Sequence, residues 1–275
     1  MSQRLYCGLL LCAAALASGP APAQDNRLVV ANLLLPDSVW PAQRADIIQV
    51  LTHTRPDVLA IQQVLGQGQQ PPDVCALAQP LAMHCDFVSA DPPSKPLRRG
   101  MALLSARRIL EDGASLLHGE DGSAPVAAGY WRLSLGQTPV NLYSASLSPG
   151  PALQQRRLHQ ARDLRDWMAS HAPAGAAIVV ARFGARHSEL LQLMPGLHTA
   201  RKGIGSDAAH GLDVLYPPGQ ARLTATTLLE LEPPAASADT GPPAVAPPHP
   251  RSKQLLGIVV ELELELGIPT AAPLR

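Results

Sequence analysis

The chain has 275 residues, enough for one large domain, and its 46% hydrophobic content excludes global disorder. Lysine plus arginine and aspartate plus glutamate number 22 each, so the chain lacks the basic field that drives nucleic-acid binding. With 3% aromatic residues there are few platforms for stacking bases, and both features argue against nucleic acid as a partner.

Arg4, the apolar run 5–17 and the small-residue pattern Ala21-Pro22-Ala23 predict a secretory signal peptide over 1–23. The run is shorter than the roughly 20 residues of a spanning helix, and no later segment reads as a membrane span. The expected mature chain is one domain over 24–275, secreted or held in a bacterial periplasm. Cys7 and Cys12 fall in the leader. Cys75 and Cys85 remain as an even pair in an oxidising compartment, which predicts a disulfide; two buried thiols are the alternative.

Residues 27–35 form a buried strand that Pro36 ends. Pro41 opens a helix to about residue 54, whose apolar face carries Ile47, Ile48, Val50 and Leu51. The turn Arg55-Pro56-Asp57 leads into a strand at 58–61, completing a strand–helix–strand crossover. A helical stretch at 74–84, a strand from Cys85, a polar Pro-rich loop over 91–99 and a core strand at 100–105 follow. The strands 127–135 and 139–147 are joined by hairpin chemistry at Gly136-Gln137-Thr138.

A long helix over 152–171 turns Leu153, Leu158, Ala161, Leu164 and Met168 inward, and its arginines read as a solvated face. Then come a strand at 176–183, a short helix at 188–194, and strands at 212–216 and 223–231. Residues 233–250 are Pro/Ala-rich and predict a long surface loop, a disordered insertion or an extended segment for a partner to grip. The last strand, 255–266, ends in a Glu/Leu alternation with one buried and one wet face.

Several motifs fail. There is no H-E-x-x-H and no C-x-x-C for zinc. Gly203-x-Gly205 stands at no strand-to-helix junction, and Ser206, His210 and Asp213 lack the G-x-S-x-G elbow that a serine triad of that type requires.

The order of segments over about 27–266, however, resembles the endonuclease/exonuclease/phosphatase family. Leu28-Val29-Val30-Ala31-Asn32 is similar to its opening strand, which ends in a metal-site asparagine. The stretch Pro56-Asp57-Val58-Leu59-Ala60-Ile61-Gln62-Gln63-Val64 resembles its P-D-V-x-x-L-Q-E-V segment, the most specific match. Gly100 to Ser105 is similar to its G-x-A-I-L-S strand, and Arg157-x-x-Gln160 to the start of its central helix. Val179 to Ala185 resembles its V-x-G-D-F-N-A turn, Gly211 to Leu215 its I-D-Y-I strand, and Ser252-Lys253-Gln254 its terminal S-D-H.

The resemblance implies an α/β four-layer sandwich, two packed mixed β-sheets flanked by helices, with the site at one end. It also implies Mg²⁺-assisted in-line hydrolysis of a phosphoester, in which carboxylates hold the metal and a base activates water. Most of the residues for that chemistry are replaced. Asn32 and Asp213 match the pattern, whereas Gln63 stands for the metal-ligating glutamate and Ser146 for the histidine of a T-H-L segment. Arg182 and Gly184 replace the Asp and Asn of the turn, and Lys253 and Gln254 the final Asp-His. A divalent ion ~5 Å from one fixed cation would be repelled by roughly 6–7 kcal/mol at an effective dielectric of ~20. Shifting the alignment to use His249 restores a histidine but misplaces the start of the last strand.

The expectation is a pseudoenzyme with no cofactor, in which Arg182, Lys253 and Asn32 hold an anionic or phosphorylated ligand. Two other readings stay open. One is a collapsed pocket with Arg182 paired to Asp213; the other is a residual metal-dependent phosphodiesterase or phosphatase, the only case that calls for Mg²⁺. The sequence names no partner.

Overall fold

The computed structural model describes residues 26–35, 40–119, 123–136, 138–171, 175–201, 211–231 and 253–265. The expected leader 1–23, the loop 233–250, Ser206, His210, His249 and Ser252 lie outside these residues.

In chain order the elements are β1 (Arg27–Leu34), α1 (Arg44–Thr54), β2 (Val58–Gln67), a 3-10 turn (Asp73–Leu77), α2 (Ala78–Leu81), β3 (His84–Ser89), β4 (Leu97–Ser105) and β5 (Ile109–Leu117). They continue with β6 (Val126–Leu135), β7 (Thr138–Ser146), α3 (Gln154–Ser170), β8 (Ala177–Arg182), α4 (His187–Leu193), β9 (His198–Thr199), β10 (Leu212–Tyr216), β11 (Ala221–Leu231) and β12 (Gln254–Leu264). Among the described residues two six-stranded sheets form, in the orders β11-β12-β1-β2-β4-β3 and β5-β6-β7-β8-β10-β9. Each holds one parallel pair, β1 with β2 and β7 with β8, because each of those pairs is joined across a helix.

The alternation of side chains along each strand builds three apolar layers. Leu28 and Val30 of β1 meet Trp131, Ile178 and Val180 of the other sheet between the two sheets. Val29, Ala31 and Leu33 face outward, under Ile47 and Leu51 of α1. On the far side Tyr143, Val179, Ala181 and Phe183 pack under Ala161 and Leu164 of α3. The result is the expected helix, sheet, sheet, helix sandwich. No helix of the described residues is long and apolar enough to cross a membrane.

Three local readings change. The predicted helix 74–84 is a 3-10 turn followed by a four-residue helix that ends at Ala82, φ 52°. Ile109–Leu117, unpredicted, is an edge strand, since Glu111-Asp112-Gly113 interrupts the β-forming run. The arginines of α3 are not all a solvated face, because Arg157 is buried.

Cys75 and Cys85 are joined by a disulfide, their Cα atoms 5.6 Å apart. It ties the 3-10 turn to β3. Replacing both cysteines by serine is expected to cost about 2–3 kcal/mol by urea unfolding, the loop-closure value for a short loop.

Candidate functional site

The strand ends that carry the candidate residues lie together at one end of the sandwich. Asn32 shares a face with Leu28 and Val30, so it points between the sheets. It is fully buried, and its Nδ2 donates to the carbonyls of Ala181 at 2.9 Å and Asp213 at 3.0 Å. Gln62 Nε2 donates to Asn32 Oδ1 at 3.1 Å. Both amide hydrogens are thus spent on the backbone of the other sheet, and Asn32 is a cross-link between sheets. The expectation that it helps hold a ligand is revised on that ground.

Gln62, not Gln63, is the neighbour of Asn32. Gln63 lies in an irregularity of the β2–β4 pairing between Ile61 and Val64, with φ 59°. A left-handed residue at such a bulge is turned out of the ladder, and Gln63 is exposed at the mouth of a cleft.

In the second sheet Ser146 is opposite Arg182, and Arg182 opposite Leu212, whereas Asp213 is opposite Ala181. Cross-strand partners share a face. Leu212 belongs to the layer between the sheets and Ala181 to the layer under α3, so Arg182 and Asp213 stand on opposite faces of the sheet. The pairing of Arg182 with Asp213 is therefore corrected. Asp213 is fully buried, and its partner is Arg201, 5% exposed, whose Nε lies 2.7 Å from Oδ1. Arg201 Nη2 donates to Oδ2 at 3.2 Å, while the Nε hydrogen is aimed at the Leu212 carbonyl at 3.0 Å. Burial pushes the Asp213 carboxyl up to about 7, against the pull of the Arg201 guanidinium and of the Phe183 N–H. Nothing in the motif around Asp213 flagged Arg201, which lies twelve residues upstream on the strand-end after β9.

The turn after β8 keeps its shape. Gly184 has φ 61° and Gly211 φ 75°, and a Cβ on Gly211 would lie 2.8 Å from the Gly184 Cα. The left-handed conformation at 184 is one that asparagine also adopts, so glycine keeps the turn and removes the amide. Lys253 is exposed just before β12, and Gln254 is half-buried opposite Leu231. The register Leu33 to Gly257 puts both at the same end as Asn32.

Beside these strand ends opens a cleft of about 620 Å³. Its walls are Leu34, Leu35, Leu65, Met101, Val126 and Leu147, and its polar groups include Gln63, Asp91, Lys95, Arg99, Ser146 and Ser148. The β3–β4 connection forming one wall is stapled by Asp91. Its carboxylate accepts from the Arg99 backbone N–H at 2.8 Å and from Lys95 Nζ at 2.8 Å, which hold that carboxyl below its usual range. The opposite wall is fixed from α3. Gln160 Oε1 accepts from the Ser148 N–H at 3.0 Å, and its Nε2 donates to Ser148 Oγ at 3.1 Å. Arg157 pairs with Glu189 at 2.7 Å and donates to the carbonyls of Ser148 and Gly150.

This donor set does not fit a divalent ion. Mg²⁺ is held by carboxylate and other hard oxygens. Here Gln63 is a neutral amide, Arg182 is a cation, and the oxygens of Asp213 are sealed against Arg201. Among the described residues no three His, Cys, Asp or Glu side chains cluster.

Two six-stranded sheets with helices outside them, and the candidate positions at the strand ends, make a helix-flanked β-sandwich. The model of the Endonuclease/Exonuclease/phosphatase family matches residues 31–184, and the chain belongs to that family. The human Nocturnin catalytic domain, a structure with bound sulfate anion, is similar at 16% identity and TM-score 0.64, over 87% of this chain and 95% of that one. A family protein from Bacteroides thetaiotaomicron is similar at 12% identity and TM-score 0.64, over 89% and 100%. Mannosyl-6-phosphatase Bt3783 of the same organism gives 12% identity and TM-score 0.59, over 86% and 99%. No curated protein matches the chain.

Proposed function

We propose that this chain is a pseudoenzyme of the family, secreted or periplasmic, whose site end takes an anionic or phosphorylated ligand without a metal. One observation carries the reading: the acid that matches the family pattern, Asp213, is buried against Arg201 and out of reach of solvent. An acid so placed neither holds a metal nor orients a base. The cations at this end of the sandwich, Arg182 in the sheet, Lys253 before β12 and Arg99 in the cleft, favour an anion by charge-assisted hydrogen bonds. The sulfate bound by the Nocturnin domain is consistent with an anion on this fold.

Calorimetry tests both halves. Titration with MgCl₂ or MnCl₂ is expected to give no saturable heat to millimolar concentration, and inorganic phosphate is expected to give a saturable one. Saturable metal binding would favour the residual hydrolase, and silence with phosphate would end the anion reading.

A further inference from the structure

The cleft at the site end is not a phosphate cradle in its walls. Half-buried Leu34, Leu65 and Val126, with the buried Leu35, Met101 and Leu147 beneath, line a space of about 620 Å³, within the range of small-molecule sites. Of its charged groups, Asp91 and Lys95 neutralise each other at 2.8 Å. That leaves Arg99, exposed at the rim, with no ion pair among the described residues. Its backbone is fixed on both sides, N–H donating to Asp91 at 2.8 Å and carbonyl accepting from Ser89 Oγ at 2.7 Å, which anchors the root of the side chain at the rim. The far wall is held equally firmly by Gln160 on Ser148. A small hydrophilic anion would satisfy Arg99 and leave the apolar wall wet; a neutral apolar molecule would do the reverse.

We infer that the cleft binds a single-chain amphiphile, an alkyl tail against Leu34, Leu65 and Val126 and a phosphate or carboxylate head on Arg99. This rests on the anion reading above and names its ligand class. The tail contributes by apolar burial, several-fold in affinity for each methylene covered. The head contributes a bidentate, charge-assisted contact.

The test is calorimetry of the mature protein with inorganic phosphate, butyl phosphate, octyl phosphate, octanoate and octyl glucoside, below micelle concentrations. Octyl phosphate is expected to bind at least tenfold tighter than butyl phosphate, and butyl phosphate tighter than inorganic phosphate. Arg99→Gln is expected to weaken octyl phosphate about tenfold and leave octyl glucoside unchanged. Leu65→Gln is expected to weaken the octyl compounds and leave inorganic phosphate unchanged; thermal melting of both variants verifies that they fold. Equal affinity for phosphate and octyl phosphate overturns the amphiphile and leaves the anion reading standing. Equal affinity for octyl phosphate and octyl glucoside overturns the role of Arg99 and with it the proposal. No binding by any of them overturns both readings.

Discussion

Arg201→Met is expected to destabilise the protein by about 3–5 kcal/mol at pH 8, the cost of leaving one member of a buried ion pair alone. Asp213 is fully buried and Arg201 is the cation beside it, so the variant strands a carboxylate in the core. The penalty depends on pH, and its sign follows from the direction of the Asp213 shift. A carboxyl held at about 7 in the folded chain, against an ordinary value of 3.8, binds its proton more tightly when folded. Its contribution favours folding fully below pH 3.8 and is lost as pH rises through about 7. Removing Arg201 removes the attraction that opposes burial and pushes the carboxyl higher still. The Arg201→Met penalty should therefore shrink toward pH 5, where Asp213 is protonated in either protein. Urea unfolding of wild type, Arg201→Met and Asp213→Asn at pH 5 and pH 8 measures it, and Asp213→Asn should lose less stability than wild type between those pH values. A penalty that is the same at both would show that Asp213 is not the group left unpaired.

Arg157→Met is expected to cost a similar ~3–5 kcal/mol and to lower Tm by roughly 10 °C. Arg157 is 1% exposed and holds Glu189 of α4 together with the carbonyls of Ser148 and Gly150, so three acceptors lose their donor at once. Arg157→Lys keeps the charge but not the planar fork and should fall between wild type and Met. The β7–α3 connection forms one wall of the cleft, and its loosening should also weaken ligand binding more than a remote change of equal stability cost. Differential scanning calorimetry gives the first effect and titration with octyl phosphate the second.

The fold was largely legible because buried strands announce themselves. Runs such as Leu28 to Ala31 and Ile178 to Ala181 are apolar on both faces, as strands sandwiched between a helix layer and a second sheet must be. The edge strand β5 was not legible, since half of it meets water and Gly113 breaks its pattern. At the site, the positions Asn32, Gln63, Ser146, Arg182 and Asp213 were readable as members of one end of the sandwich. Which of them touch was not. Face is decided by register, and the pairing of Asp213 with Ala181 separates it from Arg182 although the sequence suggested two complementary charges. Arg201 was invisible because a lone arginine before a glycine-rich stretch carries no periodicity. Arg157 was visible as part of a motif, but its clamp on a loop carbonyl is a tertiary fact.

Arg182, Gly184 and Gln63 stand where the family pattern has Asp, Asn and Glu. Both Gln63 and Gly184 have positive φ. The difference from that pattern is one of charge and polarity, and the proposed loss of hydrolysis rests on it. Turnover of bis-p-nitrophenyl phosphate and p-nitrophenyl phosphate by the protein, with Mg²⁺ or Mn²⁺ in millimolar excess, tests the proposed loss of hydrolysis most directly. The expected result is no release of p-nitrophenol above buffer; metal-dependent release that Asp213→Asn abolishes would contradict it.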